Sequence, residues 1–298
     1  MKPLRFFTDK TISRPYSWPR ILLTVLMITA LLTICGCQAP GVAGTAVGVM
    51  TDSSAEESAE MLITTGYDNV AESPAGGYLW LVDEEHLLSP GYVPENLTEA
   101  GDGIYAAREA AEGWLSMLRG MQFDGVDATG LSLVSGYRSY DEQSADIETR
   151  KQEYLAESYT EEKAARFALY DYGQPGADPR QTGMILEAVM SDGSDLAASK
   201  PGEWLRKNAE AYGFAVQWTD SGITMRYVTA VHAIAMRTLE TDVAGYLQYL
   251  DASRSYVVEM DGAMYRIRIT EGIDPKMGPI LFACGDNRGN TIVVTPEG

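Results

Sequence analysis

Between Leu131 and Gln143 the chain reads LSLVSGYRSYDEQ: strand-type apolar residues, a break at Ser135-Gly136, then Tyr137 and Arg138 ahead of a polar helical segment. A strand that ends in a glycine-containing turn is a way to hold a charged side chain rigidly at the rim of a cleft. Arg138 is that side chain. Its planar, permanently charged fork suits a carboxylate, and a bidentate pair would fix both the position and the orientation of an acidic ligand end. The same residue would serve equally well in an ordinary ion pair, and this stretch alone leaves both readings open.

Other stretches fall into an ordered series with it. SGYRS is followed by Gln143, and ahead of it lies LVDEEHLLSPGYVPENL from Leu81 to Leu97. Beyond it come Pro175-Gly176 with Gln181-Thr182-Gly183, then Trp204-Leu205, Asn208-Ala209 and Tyr212-Gly213-Phe214, and finally Arg226-Tyr227-Val228. Over roughly residues 78 to 250 the chain resembles the VanY-type D-alanyl-D-alanine carboxypeptidases, zinc enzymes that trim the terminal D-Ala from peptidoglycan stem peptides. The resemblance implies an α+β fold with a central antiparallel sheet flanked by helices. It also implies a substrate-binding set of Arg138, Tyr137, Ser135 and Gln143.

The departures from the family pattern fall on its chemistry. The resemblance places the first metal-binding His on Arg180, the metal-binding Asp on Glu187, the second His on Thr224 and the general-base Glu on Ser221. None keeps its type. The chain's two histidines, His86 and His232, match positions where the family has non-ligand histidines. A catalytic zinc needs three protein ligands and an open position for the water that it activates. A guanidinium at position 180 repels a dication as well as failing to bind it. The expectation is therefore a site with no zinc and no other cofactor, in which Arg180 and Glu187 pair across the old metal position; the alternative has them point apart into solvent.

Composition bears on location. Residues 1–36 hold Lys2, Arg5, Lys10, Arg14 and Arg20 against Asp9, a net charge of +4 that leaves −23 of the overall −19 for the rest. So acidic a body argues against nucleic-acid binding, which demands the opposite sign. The basic start runs into Ile21–Ile34, an apolar stretch short of the roughly 20 residues of a transmembrane helix. It ends in Ile34-Cys35-Gly36-Cys37, which resembles a bacterial lipobox with Cys37 as the lipidated residue; an uncleaved signal anchor is the alternative. Either way the expected place is the cell membrane, facing outside the cytoplasm. The third cysteine, Cys284, reads as a small core residue on a strand, so no disulfide framework is expected.

The expected organisation is an export segment over 1–37, a flexible tether over 38–76 with a short helix around Ala59–Thr64, a carboxypeptidase-like domain over 77–250 and a small β appendage over 251–298. Within the domain Tyr78–Val82 reads as a buried strand and Pro90–Pro94 as a surface loop. Ile104–Met121 reads as an amphipathic helix, and the charged stretch to Tyr172 as one or two surface helices. Strands follow at Met184–Met190, Phe214–Trp218 and Met225–Val228, with helices at Glu203–Tyr212, Val231–Arg237 and Asp242–Leu250. Asp261-Gly262 between Ser255–Met260 and Met264–Ile269 signals a hairpin, and Ile280–Ala283 and Thr291–Val294 complete the appendage.

Three functions remain open from sequence. The first is a zinc-free, inactive family member that binds stem peptides. The second is an active zinc carboxypeptidase with replacement ligands such as Asp178, Glu187 and Asp220. The third is a structural lipoprotein that engages another envelope component.

Overall fold

The computed structural model describes residues 77–297. The expected export segment, tether, lipobox and Ala59–Thr64 helix lie outside the described residues. Those described contain six α-helices and three antiparallel sheets. Among them no helix is long and apolar enough to cross a membrane.

A two-stranded hairpin comes first, β1 (Leu97–Gly101) with β2 (Ile104–Ala107). The long helix read from Ile104 in fact begins at Arg108 and runs to Phe123 as α1. Asp102 and Gly103 both take positive φ, 56° and 75°, and close a tight hairpin turn. The strand they start takes the first four residues away from the helix. The remaining helical period holds: Ala110, Trp114, Met117 and Met121 line the buried face.

The central sheet has the order β3-β4-β6-β5, from β3 (Leu131–Ser135), β4 (Ile185–Met190), β5 (Phe214–Trp218) and β6 (Gly222–Tyr227). One face carries Leu133, Leu186, Phe214 and Met225 into a core with α1. Side chains alternate along a strand, so residues offset by one turn to the other face. Between β3 and β4 the chain forms two helices, α2 (Tyr140–Ala156) and α3 (Glu161–Tyr172). Edge-to-face contacts among Tyr154, Tyr159 and Phe167 join them, with ring centroids 5.4–5.7 Å apart.

Helix α4 (Lys200–Asn208) leads into β5; α5 (Ala230–Thr238) and α6 (Val243–Ser253) follow β6. The last sheet has the order β7-β8-β10-β9, formed by Ser255–Met260, Ala263–Thr270, Phe282–Gly285 (β9) and Thr291–Pro296 (β10). Asp261 and Gly262 supply its hairpin turn with φ of 53° and 77°. Val258, Ile267, Cys284 and Ile292 share a core with Tyr246, Leu250 and Leu79. The expected boundary at 250/251 thus passes through a continuous hydrophobic cluster.

Tyr78–Val82 is buried in part as expected but is not a strand. Its backbone finds side-chain partners instead of a ladder: Arg226 Nη2 donates to Gly77 O and Trp80 O at 3.1 and 2.6 Å, and Asn287 brackets Leu81 from both sides at 3.0 and 2.6 Å. Buried backbone polar groups need partners, and side chains satisfy them here.

Candidate functional site

The turn after β3 is fixed by contacts on every side. A Cβ on Gly136 would come within 2.5 Å of both Ile104 Cγ2 and Tyr105 O, so only glycine fits. Tyr137 N donates to Tyr105 O at 2.7 Å. Ser139 then caps α2 in a reciprocal box: its Oγ accepts from Glu142 N at 3.1 Å, and Glu142 Oε2 accepts from Ser139 N at 2.8 Å. Arg138 is held between a glycine that cannot be replaced and a helix that cannot start elsewhere.

Its guanidinium is already engaged. Nη1 donates to Asp178 Oδ2 at 2.9 Å, Nη2 pairs with Asp146, and Cζ lies 5.6 Å from the Tyr172 ring centroid. The carboxylates that this fork meets, Asp178 and Asp146, belong to its own chain. Gln143, expected beside a ligand, is 1% exposed. Its Nε2 donates to Tyr172 O and Gln174 O and its Oε1 accepts from Gly176 N, clamping α2 to the loop before Asp178. Tyr137 is partly buried, and burial, reinforced by Glu142 and Asp141, raises its pKa.

Asp178 is the hub. It caps the short 3₁₀ turn Pro179–Thr182 by accepting from Arg180 N at 2.9 Å, and takes Arg180 Nε at 3.0 and 3.1 Å and Nη2 at 2.7 Å. Burial alone would raise its pKa; bonds from the Arg180 side chain and backbone, the Arg180 charge and the Arg138 bond outweigh this and hold it below the ordinary carboxylate value. Arg180 is shifted upward, first by its bond to Asp178 and more distantly by the charges of Glu187 and Asp146. The remaining nitrogen, Arg180 Nη1, donates to Ser135 Oγ at 3.2 Å. The expected Arg180–Glu187 pair is therefore corrected: Asp178, two residues away, reaches the guanidinium through a turn that Pro179 starts.

Across the central sheet the register sets Ser135 opposite Glu187, Glu187 opposite Thr224, and Thr224 opposite Gln217. Arg180, through Ser135, reaches the end of this row. Ser221 stands apart, exposed in the β5–β6 turn that Thr219 closes with bonds of 3.0 Å to Gly222. Asp220, proposed as a replacement ligand, lies in the same exposed turn. His86 Nδ1 bonds Asp83 at 2.8 Å, and His232 Nδ1 bonds Tyr246 Oη at 2.9 Å in the second core. Among the described residues no group of three His, Cys, Asp or Glu side chains converges to hold a metal. The side chains on the row do not suit zinc: Arg180 offers only N–H donors, and the oxygens of Asp178 face two guanidiniums.

Sequence reasoning undervalued Asp178. An Asp before Pro-Arg is an N-cap signal, and an N-cap side chain folds back on the residues after it.

Comparison with known proteins agrees with the fold. The family model for VanY, D-alanyl-D-alanine carboxypeptidase, matches residues 103–230. The D-alanyl-D-alanine carboxypeptidase of Enterococcus faecium is 25% identical over 217 residues, which cover 70% of this chain and 63% of that protein. The Bacillus subtilis (strain 168) protein named "Putative carboxypeptidase YodJ" is 27% identical over 154 residues, 47% of this chain and 52% of its own. The chain thus spans from about half to under two thirds of the length of these relatives. The crystal structure of the vancomycin resistance D,D-dipeptidase VanXYg, in complex with a D-Ala-D-Ala phosphinate analog, superposes with a TM-score of 0.60 at 18% identity, over 76% of this chain and 96% of that one. Residues 103–230 thus carry a VanY-type D-alanyl-D-alanine carboxypeptidase family domain. Its fold is α+β, with a central antiparallel sheet flanked by helices and additional C-terminal strands.

Proposed function

We propose that this protein is a zinc-free, catalytically inactive member of the family, tethered to the outer side of the cytoplasmic membrane, whose cleft binds peptidoglycan stem peptides. One observation carries the reading: at the position matching the first metal-binding His, the Arg180 guanidinium is locked by Asp178 and bonded to Ser135. A fixed cation at that point opposes binding of a dication, and Thr224 and Ser221 supply neither an imidazole nor a carboxylate for activating water. The bound ligand of the VanXYg structure, a D-Ala-D-Ala phosphinate analog, supports a stem-peptide end as the occupant of the shared fold. The Ile21–Cys37 segment supports anchoring through lipid on Cys37 or through an uncleaved signal anchor. In this role the protein would serve as an envelope accessory, sequestering or presenting peptide ends without cleaving them.

Elemental analysis of the purified full-length protein, paired with an assay for D-Ala release from a stem pentapeptide, tests inactivity; substoichiometric zinc and no release are expected. Stoichiometric zinc with turnover would restore the active-enzyme reading. Metabolic labelling with a radioactive fatty acid tests the anchor: incorporation lost in Cys37→Ala is expected, and unlabelled wild type would leave the signal anchor.

A further inference from the structure

The face of the central sheet opposite the α1 core carries a second arginine in a different condition. Arg226 lies on β6 between Ile185 of β4 and Ala215 of β5, two residues along from the Glu187–Thr224–Gln217 row. Its Nη2 caps the carbonyls of Gly77 and Trp80, its Nε is buried with no hydrogen-bond partner, and no bond is made by Nη1 among the described residues. Burial lowers its pKa to about 10, which leaves it charged at neutral pH, and the partly buried guanidinium makes no ion pair among the described residues. An uncompensated buried charge is costly unless something pairs with it.

Arg226 lines a cavity of about 800 Å³. Apolar walls come from Val82, Ile185, Met236 and Val243, and Thr224 and Gln217 join it from the row of the old site. The other charges around it are largely committed: Arg237 pairs with Glu210 at 3.2 Å, and Asp242 caps α6 by accepting from Gly245 N at 2.9 Å. Glu240 also lines it. A pocket of this volume, mostly apolar with one uncompensated cation, has the make-up of a site for a small ligand with an anionic head and a short apolar body.

We infer that this cavity is a carboxylate pocket in which Arg226, rather than Arg138, receives the C-terminal carboxylate of a short peptide with small apolar side chains. The inference deepens the stem-peptide reading and rests on it for the peptide's identity. The chemistry follows from the two arginines: the Arg138 fork is occupied by Asp178 and Asp146, whereas Arg226 has donor capacity left and a cavity beside it. The small walls admit methyl-sized side chains, and Glu240 gives a ligand's ammonium a counter-charge.

The test is calorimetric titration of the full-length protein with D-alanyl-D-alanine, with its C-terminal amide, and with N-acetyl-L-leucine as a carboxylate foreign to cell-wall stems. D-alanyl-D-alanine is expected to bind, and the amide to bind about tenfold more weakly or worse, the factor for a lost charged hydrogen bond. Arg226→Gln and Ala215→Phe are each expected to cause a similar loss, while Arg138→Gln changes affinity by less than about threefold, under 1 kcal/mol. Arg226 also pins the Tyr78–Val82 segment, so Ala215→Phe, which fills the cavity and leaves the guanidinium in place, separates a lost site from a lost fold. Dipeptide binding that survives both Arg226→Gln and Ala215→Phe and disappears in Arg138→Gln overturns the inference and leaves the stem-peptide reading intact. Arg226-dependent binding of acetyl-leucine with none of the dipeptide keeps the carboxylate pocket and overturns the stem-peptide reading. Binding of neither overturns the pocket.

Discussion

Two regions of the central sheet treat charge in opposite ways. Beside β3 Arg138 and Arg180 share Asp178, whose side chain is 8% exposed, and Arg138 also pairs with Asp146. On β6 and in the core behind it, Arg226 has only carbonyl partners, and His232 is fully buried with Nε2 unpartnered. The difference teaches how neighbouring parts of one sheet can dispose of charge in different ways. Where cations are paired within the chain, their charge is met locally; where a cation has no counter-ion, its charge stays open to an outside anion. Imidazole follows a third course, giving up its charge: burial drives the His232 pKa down to about 3.

Removing the shared carboxylate breaks the first region outright. Asp178→Ala strands Arg180, leaves Arg138 with Asp146 alone and is expected to cost about 3–5 kcal/mol in chemical denaturation, the range for a buried pair that loses one partner. The folded pKa of Asp178 lies below its unfolded value, so its contribution is present above about pH 3.9 and is lost as pH falls through the folded pKa. Unfolding curves between about pH 2 and 5 should show this slope in wild type and a shallower one in Asp178→Asn.

The next effect belongs to the other region and has its own pH window. Unfolded, His232 takes a proton near pH 6.5; folded, it resists until about 3, so the unfolded chain binds more protons in between and acid weakens the fold. Stability should fall by about 1.4 kcal/mol per pH unit across that window. His232→Gln, which keeps an amide for Tyr246 Oη, should flatten the dependence; an unchanged slope would remove His232 as its cause.

Two smaller effects sharpen the pairing itself. Arg180→Ala takes one of the two cations from Asp178 and is expected to cost about 1.5–3 kcal/mol, the worth of charged hydrogen bonds. Glu187→Gln should change stability by no more than about 0.5 kcal/mol, since Glu187 has no ion-pair partner among the described residues. A loss in Glu187→Gln as large as in Arg180→Ala would return the pairing to Glu187.

Much of the fold was legible in order and kind. The apolar spacing of Trp114, Met117 and Met121, the alternation in β4 with Glu187 turned away from the core, and the Asp261-Gly262 hairpin all follow from periodicity and turn chemistry. Gly101-Asp102-Gly103 carried the same kind of signal; it was masked because the alanines after it also fit a helical period. Tyr78–Val82 looked like a strand because it is apolar and buried, but its partners come from Arg226 and Asn287, about 146 and 206 residues downstream in the chain.

The sequence by itself determined the family resemblance, the alternating and helical segments, and the replacement of His and Asp by Arg180, Thr224 and Glu187 at the matched positions, because all of these are written in local spacing and residue type. Only the tertiary structure decided which charges meet. Arg138 finds Asp178 forty residues away because Gln143 ties α2 to the loop that carries it, and Arg226 is left without an ion-pair partner among the described residues because the carboxylates around its cavity are not packed onto its guanidinium. Ion pairing acts over a few ångströms, and those ångströms are set by how distant segments pack.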